Sequence, residues 1–270
     1  MSLLTMTIFR FVDNRQAIGV DTPQGTPPDA ILKALNLHTS LGTRLLTQLG
    51  LLPRQKLIVL NGGTAELSPE MNTQLGEALI DGLAQVAAEE NIMFITGGTN
   101  SGVFNLLGQG LQKWQHDAPC IGVFVKQLAC ENENTPNKAQ LESHHSHFVM
   151  VDGQEWGDER EVMYSLIKYL AKYMTVLNVY AGGGELTIRE MQAAVKQNCK
   201  ILLLGGSGRA TDQVLAAYQG QPIEDERLKD IAKHPKLYTV QLKEGVDSVK
   251  DTLRYLLYKH TQCCSGSLDK

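Results

Sequence analysis

Four glycine-rich runs carry the residues best suited to chemistry: Gly62-Gly63-Thr64, Gly97-Gly98-Thr99-Asn100-Ser101-Gly102, Gly182-Gly183-Gly184-Glu185 and Gly206-Ser207-Gly208-Arg209. Each follows an apolar run and precedes an amphipathic stretch, so each reads as a strand-to-helix turn. Without a Cβ, the backbone can approach a phosphate closely and adopt positive φ. The helix that follows adds unpaired N–H groups and about half a positive charge at its start. One Gly-Gly turn can serve only to reverse the chain tightly; four point to a phosphate cradle. Thr99, Asn100, Ser101 and Ser207 add side-chain donors. Arg209 adds a charge-assisted fork at a helix start, where a bare cation opposes the dipole unless an anion is near. A solvated Arg209, or one paired with Asp212, is the alternative. Glu185 can hold a ribose diol, act as a base, or simply favour a helix N-terminus.

The elements that would hold these residues follow a regular alternation. Apolar runs at 57–60, 92–95, 120–125, 148–151, 175–180, 200–204 and 238–242 predict strands. Helical periodicity over 68–90, 103–115, 156–174, 185–198, after Arg209, and over 246–260 predicts the helices between them. Ser68-Pro69 supplies an N-cap and a first-turn proline. The strands are continuously apolar, as in a parallel sheet covered on both faces. The expected fold is α/β: a Rossmann-like, doubly wound, mostly parallel sheet. All four glycine turns then fall on its carboxyl edge, where such sheets bind ligands. Residues 1–55 are read as an N-terminal extension with a strand over 5–12 and two short helices over 29–49. Residues 56–262 form the main domain and 263–270 a frayed tail. The polar stretch 126–147 reads as a long loop.

Composition narrows the partners. With 43% hydrophobic residues the 270-residue chain has ample core material. Its 25 basic against 29 acidic residues leave a net charge of −4, which disfavours DNA or RNA. The five cysteines are odd in number and fit no zinc spacing, which suits a reducing compartment. No apolar stretch reaches the roughly 18 residues of a membrane span. The expectation is a cytoplasmic protein that needs no cofactor, forms a homo-oligomer, and binds a small nucleotide rather than nucleic acid or membrane.

Four stretches resemble a known family. Ile95-Thr-Gly-Gly-Thr-Asn-Ser-Gly-Val103, Ser146-His-Phe-Val-Met-Val-Asp152, Gly157-Asp-Glu-Arg160 and Gly206-Ser-Gly-Arg-Ala210 occur in the order seen in the SLOG superfamily. The chain resembles its LSDAT branch, found at the cytosolic N-terminus of melastatin-type channels and in free-standing bacterial proteins. The resemblance spans about residues 56–220 and implies a Rossmann-like domain that senses or processes nucleotide-derived ligands, ADP-ribose-like molecules foremost.

Another SLOG branch, the cytokinin-activating phosphoribohydrolases, carries Pro-Gly-Gly-x-Gly-Thr-x-x-Glu. Here Ala181, Glu185, Leu186 and Arg189 stand at the Pro, third Gly, Thr and Glu positions, while Thr187 and Glu190 lie one residue late. One residue turns a helical side chain by about 100°, so binding is favoured over hydrolysis. Glu185 and Glu190 remain the catalytic candidates of the alternative, a nucleotide N-glycosidase or phosphoribohydrolase. His144-His145-Ser146-His147 reads as loop or surface histidines, with ligand contact or metal binding as minor options.

Overall fold

The computed structural model describes residues 4–49, 51, 55–63, 69–131 and 135–258. Thr64, Ser68 and the 263–270 tail lie outside the described residues. Eleven strands are described: β1 (Met6–Arg10), β2 (Gln16–Thr22), β3 (Gln55–Gly62), β4 (Met93–Thr96), β5 (Cys120–Val125), β6 (Ala129–Cys130), β7 (Ala139–Gln140), β8 (His147–Val151), β9 (Met174–Ala181), β10 (Lys200–Gly205) and β11 (Leu237–Gln241). Nine of them form one sheet in the order β1-β2-β8-β5-β4-β3-β9-β10-β11. All pairings are parallel except β1 with β2. The chain steps outward from β3 through β4, β5 and β8, then returns to β9 on the other side of β3. That reversal makes the β3–β9 boundary the topological switch point.

Two helical layers cover the sheet. One contains α1 (Pro28–Ala34), α6 (Arg160–Leu170), α7 (Glu185–Lys196), α8 (Arg209–Tyr218) and α9 (Glu226–Ala232). The other contains α5 (Gly102–Lys113), α10 (Val246–Tyr258) and a continuous helix made of α3 (Pro69–Gly76), a π-helical stretch Glu77–Ala84 and α4 (Gln85–Glu89). Strand side chains divide between the layers by simple alternation: Leu57 and Val59 join the α6–α7 core, Ile58 and Leu60 the α5–α10 core.

The structure departs from the sequence reading in four places. Residues 6–22 of the expected extension add two strands to the sheet itself, because β2 pairs with β8 and the hairpin closes over Phe9, Phe11, Phe124 and Phe148. Within the expected extension the two short helices are present: α2 (Leu41–Gln48) follows α1, with the Ser40 side chain accepting from Thr43 N. The helix expected over 156–174 begins only at Arg160, since Gly157 has φ +107° and Asp158 accepts from the Gln154 and Glu155 amides. The 126–147 stretch carries the small β6–β7 pair, and α9, capped by Asp225, was not foreseen.

Candidate ligand crevice at the switch point

β4, β3, β9 and β10 are adjacent and parallel, so their four glycine turns line one rim. The β3 and β9 turns touch backbone to backbone: Gly63 N donates to Ala181 O at 3.0 Å. A Cβ at Gly62 would collide with the Ala181 carbonyl, and one at Gly63 would lie 3.0 Å from Gly183 N. Gly183 has φ +84°, and a Cβ there would enter the Thr187 side chain. Glycine is required at this crossing by space as well as by φ.

The β10 turn is built differently from expectation. Asp212 accepts from Gly206 N at 2.8 Å and Gly208 N at 2.9 Å. These two amides already hold an anion, the protein's own carboxylate. Ser207, expected to donate to a ligand, is 1% exposed; it accepts from Gly182 N at 2.8 Å and donates to Leu204 O at 2.5 Å. It clamps the β10 turn to the β9 turn instead. Asp212 is thus committed to the loop, and no ion pair joins it to Arg209 among the described residues. Arg209 itself has φ +53°, a left-handed conformation that costs a non-glycine residue about 1–2 kcal/mol. Its guanidinium reaches back over the crossing: Nη1 lies 4.0 Å from a Cβ built on Gly63, and Nη2 lies 3.4 Å from one built on Gly184. Backbone strain of this kind gathers where a side chain must be held in a particular place.

The β4 turn also spends its donors internally. Thr99 Oγ1 meets Ser101 Oγ at 3.1 Å, Asn100 Nδ2 donates to Gln140 Oε1 at 3.0 Å, and Asn100 N donates to Gln140 O at 2.7 Å. Of these side chains, expected to face a ligand, Thr99 and Ser101 bond each other within the turn and Asn100 pins it to Gln140. Beneath them lies a buried polar network. Glu142 Oε1 accepts from His144 Nδ1 at 2.7 Å and Oε2 from His145 Nδ1 at 2.8 Å; His145 Nε2 bonds Thr96 Oγ1 at 2.7 Å. Burial alone would raise the Glu142 carboxyl, but the two imidazoles hold it at about 2. Burial alone would lower His145; the neighbouring Cys120 side chain and Glu142 override this and raise it to about 10. His145 is fully buried, so the histidine run is an internal clamp rather than a surface loop.

Acidic groups occupy the α6–α7 side. Glu185 is exposed and held below the usual carboxylate range by Arg227, 2.6 Å away, and by Arg189 at 3.2 Å. This pairing suits anchoring of α7 and not proton donation. Glu190 turns its carboxyl inward, where burial and then the Glu159 charge raise it to about 8. Glu159, raised by burial, accepts from Gly157 N at 2.8 Å. Gly157 abuts Leu186 at the start of α7. The one-residue slip therefore sends Arg189 outward and Glu190 inward. Sequence reasoning missed Glu159 as a site group, although Gly157-Asp-Glu-Arg160 was in view.

The family described as "SLOG in TRPM, prokaryote" matches residues 55–250. The chain belongs to this family. It is also similar to the transient receptor potential cation channel subfamily M member 2 of mouse, with 23% identity over 255 residues, covering 80% of this chain and 16% of that protein. The subfamily M member 6 protein of Homo sapiens is 25% identical over 229 residues, covering 70% of this chain and 11% of its own length. The chain thus spans under a fifth of these relatives. Among the described residues no helix is long and apolar enough to cross a membrane.

In this SLOG domain all four glycine turns lie inside the matched span. A cavity of about 250 Å³ sits elsewhere, at the amino edge, lined by Leu32, Leu37, Arg44, Tyr169, Tyr173 and Met174 among others. It is mostly apolar, and Arg44 there stacks on Tyr169 and Tyr173, each 5.4 Å away. The rim, with its bare backbone, strained arginine and displaced carboxyl, has the stronger chemical case.

Proposed function

We propose that the crevice between the β3 and β9 turns binds a nucleotide-derived ligand of the ADP-ribose kind, with Arg209 taking a phosphate. One observation carries this reading: a guanidinium without a carboxylate partner among the described residues is held, at the cost of backbone strain, over the glycines Gly63 and Gly184 of the β3–β9 crossing. The internal anion Asp212 on the next turn supports it, because it demonstrates on this scaffold what such amides prefer. Among the described residues of the two turns, the amides left for a ligand are those of Gly183 and Gly184, since Gly63 N and Gly182 N are spent on Ala181 O and Ser207 Oγ. Family membership agrees with a nucleotide-related ligand. Calorimetric titration with ADP-ribose tests the proposal: saturable binding without turnover is expected, with a tenfold or greater loss in Arg209→Ala. Unchanged affinity in that variant would refute the assignment.

A second reading, an N-glycosidic hydrolase, is favoured by the inward Glu190 carboxyl at about 8 beside Glu159. A carboxyl that stays protonated at neutral pH can donate its proton to a departing base while water adds to the sugar carbon. Incubation with nucleoside monophosphates and ADP-ribose, followed by chromatography for free base, decides between the two. No release from any of them excludes this reading.

A further inference from the structure

Asn61 is the next-to-last residue of β3, directly before the glycine crossing, and only 2% exposed. By strand alternation it follows Leu57 and Val59 onto the α6–α7 face. Its register partner across the switch point is Tyr180. The two phenols of that wall are satisfied: Tyr164 Oη meets Tyr180 Oη at 3.1 Å and donates to Glu190 O at 2.8 Å. Among the described residues the Asn61 Nδ2 donor has no partner; Asn178 Oδ1 and Gln197 Oε1, further along the same face, are acceptors in the same condition, and Asn61 is the one of the three directly before the glycine crossing. A buried amide donor left unmade is expensive, and native proteins rarely leave one without cause.

The surroundings select what could satisfy it. Glu190 lies close enough to Tyr164 and Tyr180 to perturb both phenols, and Glu159 lies close enough to perturb Glu190. Arg160 stands among these carboxyls and acts on both, whereas Arg209 has no carboxylate partner among the described residues, so a phosphate is better placed at Arg209. A hydroxyl suits both partners, because its oxygen accepts from Asn61 while its proton goes to a carboxyl oxygen. We propose that Asn61, with Glu190, forms a subsite for a sugar hydroxyl of the ligand, opposite the phosphate position at Arg209. This inference rests on the ligand crevice proposed above and assigns the orientation of the ligand within it.

Two probes separate the subsites: ADP-ribose carries both sugar and phosphate, inorganic pyrophosphate only the phosphates. In the full chain, Asn61→Leu should weaken ADP-ribose about five- to tenfold, the size of one lost neutral hydrogen bond, and leave pyrophosphate unchanged. Its melting temperature should be no lower than wild type, since the orphaned donor is gone; Asn61→Ala gives the same binding pattern if the leucine variant does not fold. Arg209→Ala should weaken both probes. If Asn61→Leu and Asn61→Ala leave ADP-ribose unaffected, as they would were a buried water serving Nδ2, or weaken both probes equally, the sugar subsite is refuted while the crevice stands. A wild-type protein that binds neither probe refutes both.

Discussion

Replacing Arg209 with glycine should stabilise the protein and weaken its ligand at once. Arg209 sits at φ +53°, where a residue with a Cβ loses about 1–2 kcal/mol. Glycine adopts that conformation without steric cost but gives up roughly 0.5–1 kcal/mol of chain entropy. Removing a cation from a helix start returns a further few tenths of a kcal/mol. The net gain is about 1 kcal/mol, a rise of roughly 2–4 °C in melting temperature for a domain of this size. The ligand meanwhile loses a charge-assisted contact of about 1.5–3 kcal/mol, so its dissociation constant should rise roughly ten- to a hundredfold. Arg209→Ala is the control: it loses the same contact and keeps the strain, so its melting temperature should stay within about 1 °C of wild type. Differential scanning calorimetry and titration with ADP-ribose read the two effects separately. Equal melting temperatures for the glycine and alanine variants would refute the strain argument, and retained affinity in both would refute the anion argument.

Gly108→Ala should destabilise, although glycine-to-alanine in a helix interior ordinarily gains about 1 kcal/mol. Its Cβ would run into the Glu142 carboxylate, which His144 and His145 hold in place; a melting temperature at or above wild type would contradict the buried clamp. Gly62→Ala should cost about 2 kcal/mol or more in urea unfolding, because the new Cβ meets backbone, the Ala181 carbonyl, which cannot turn aside. Glu190 predicts a pH effect: its carboxyl is raised from 4.5 to about 8 in the folded protein, so the native state holds that proton more tightly and stability falls as pH rises between those values. His145, raised from 6.5 to about 10, loses stability in the same direction at higher pH. The difference between wild type and Glu190→Gln from pH 5 to 8 isolates the Glu190 part; parallel profiles would show that the carboxyl is not buried as described.

The parallel sheet was readable because its strands are continuously apolar and its crossover helices amphipathic, signals that survive without tertiary context. The gathering of four glycine turns on one rim followed from the same pattern, since every parallel strand ends on one edge. Side-chain roles were harder. Ser207 looks like a phosphate donor in sequence, but its hydroxyl stitches two turns together. Thr99, Asn100 and Ser101 look like ligand contacts, but the Thr99 and Ser101 hydroxyls bond each other and Asn100 holds Gln140, 40 residues later. Nothing local distinguishes a hydroxyl spent on the protein from one kept for a ligand; the partner is set by topology. The hairpin β1–β2 was half missed because β2, with Gly19 and Asp21 in it, lacks the apolar continuity of the inner strands.

Those internally spent donors bear on affinity. A glycine loop free to rearrange would lose its conformational freedom on binding, at a cost of about 1–2 kcal/mol per residue fixed. Here Ser207 clamps the β9 turn, Asp212 the β10 turn, and the Glu142–His145–Thr96 network the β4 turn. These three turns are fixed by the protein's own groups, and what remains uncommitted among the described residues is Arg209 on one flank and Asn61 with Glu190 on the other. The charge of the crevice is therefore divided, cationic towards β10 and carboxyl-lined towards α6 and α7. A ligand that is anionic at one end and hydroxylated at the other matches that division, because a carboxyl held protonated at neutral pH exchanges hydrogen bonds with a hydroxyl. Preorganisation and divided charge together favour a compact nucleotide sugar over a longer polyphosphate.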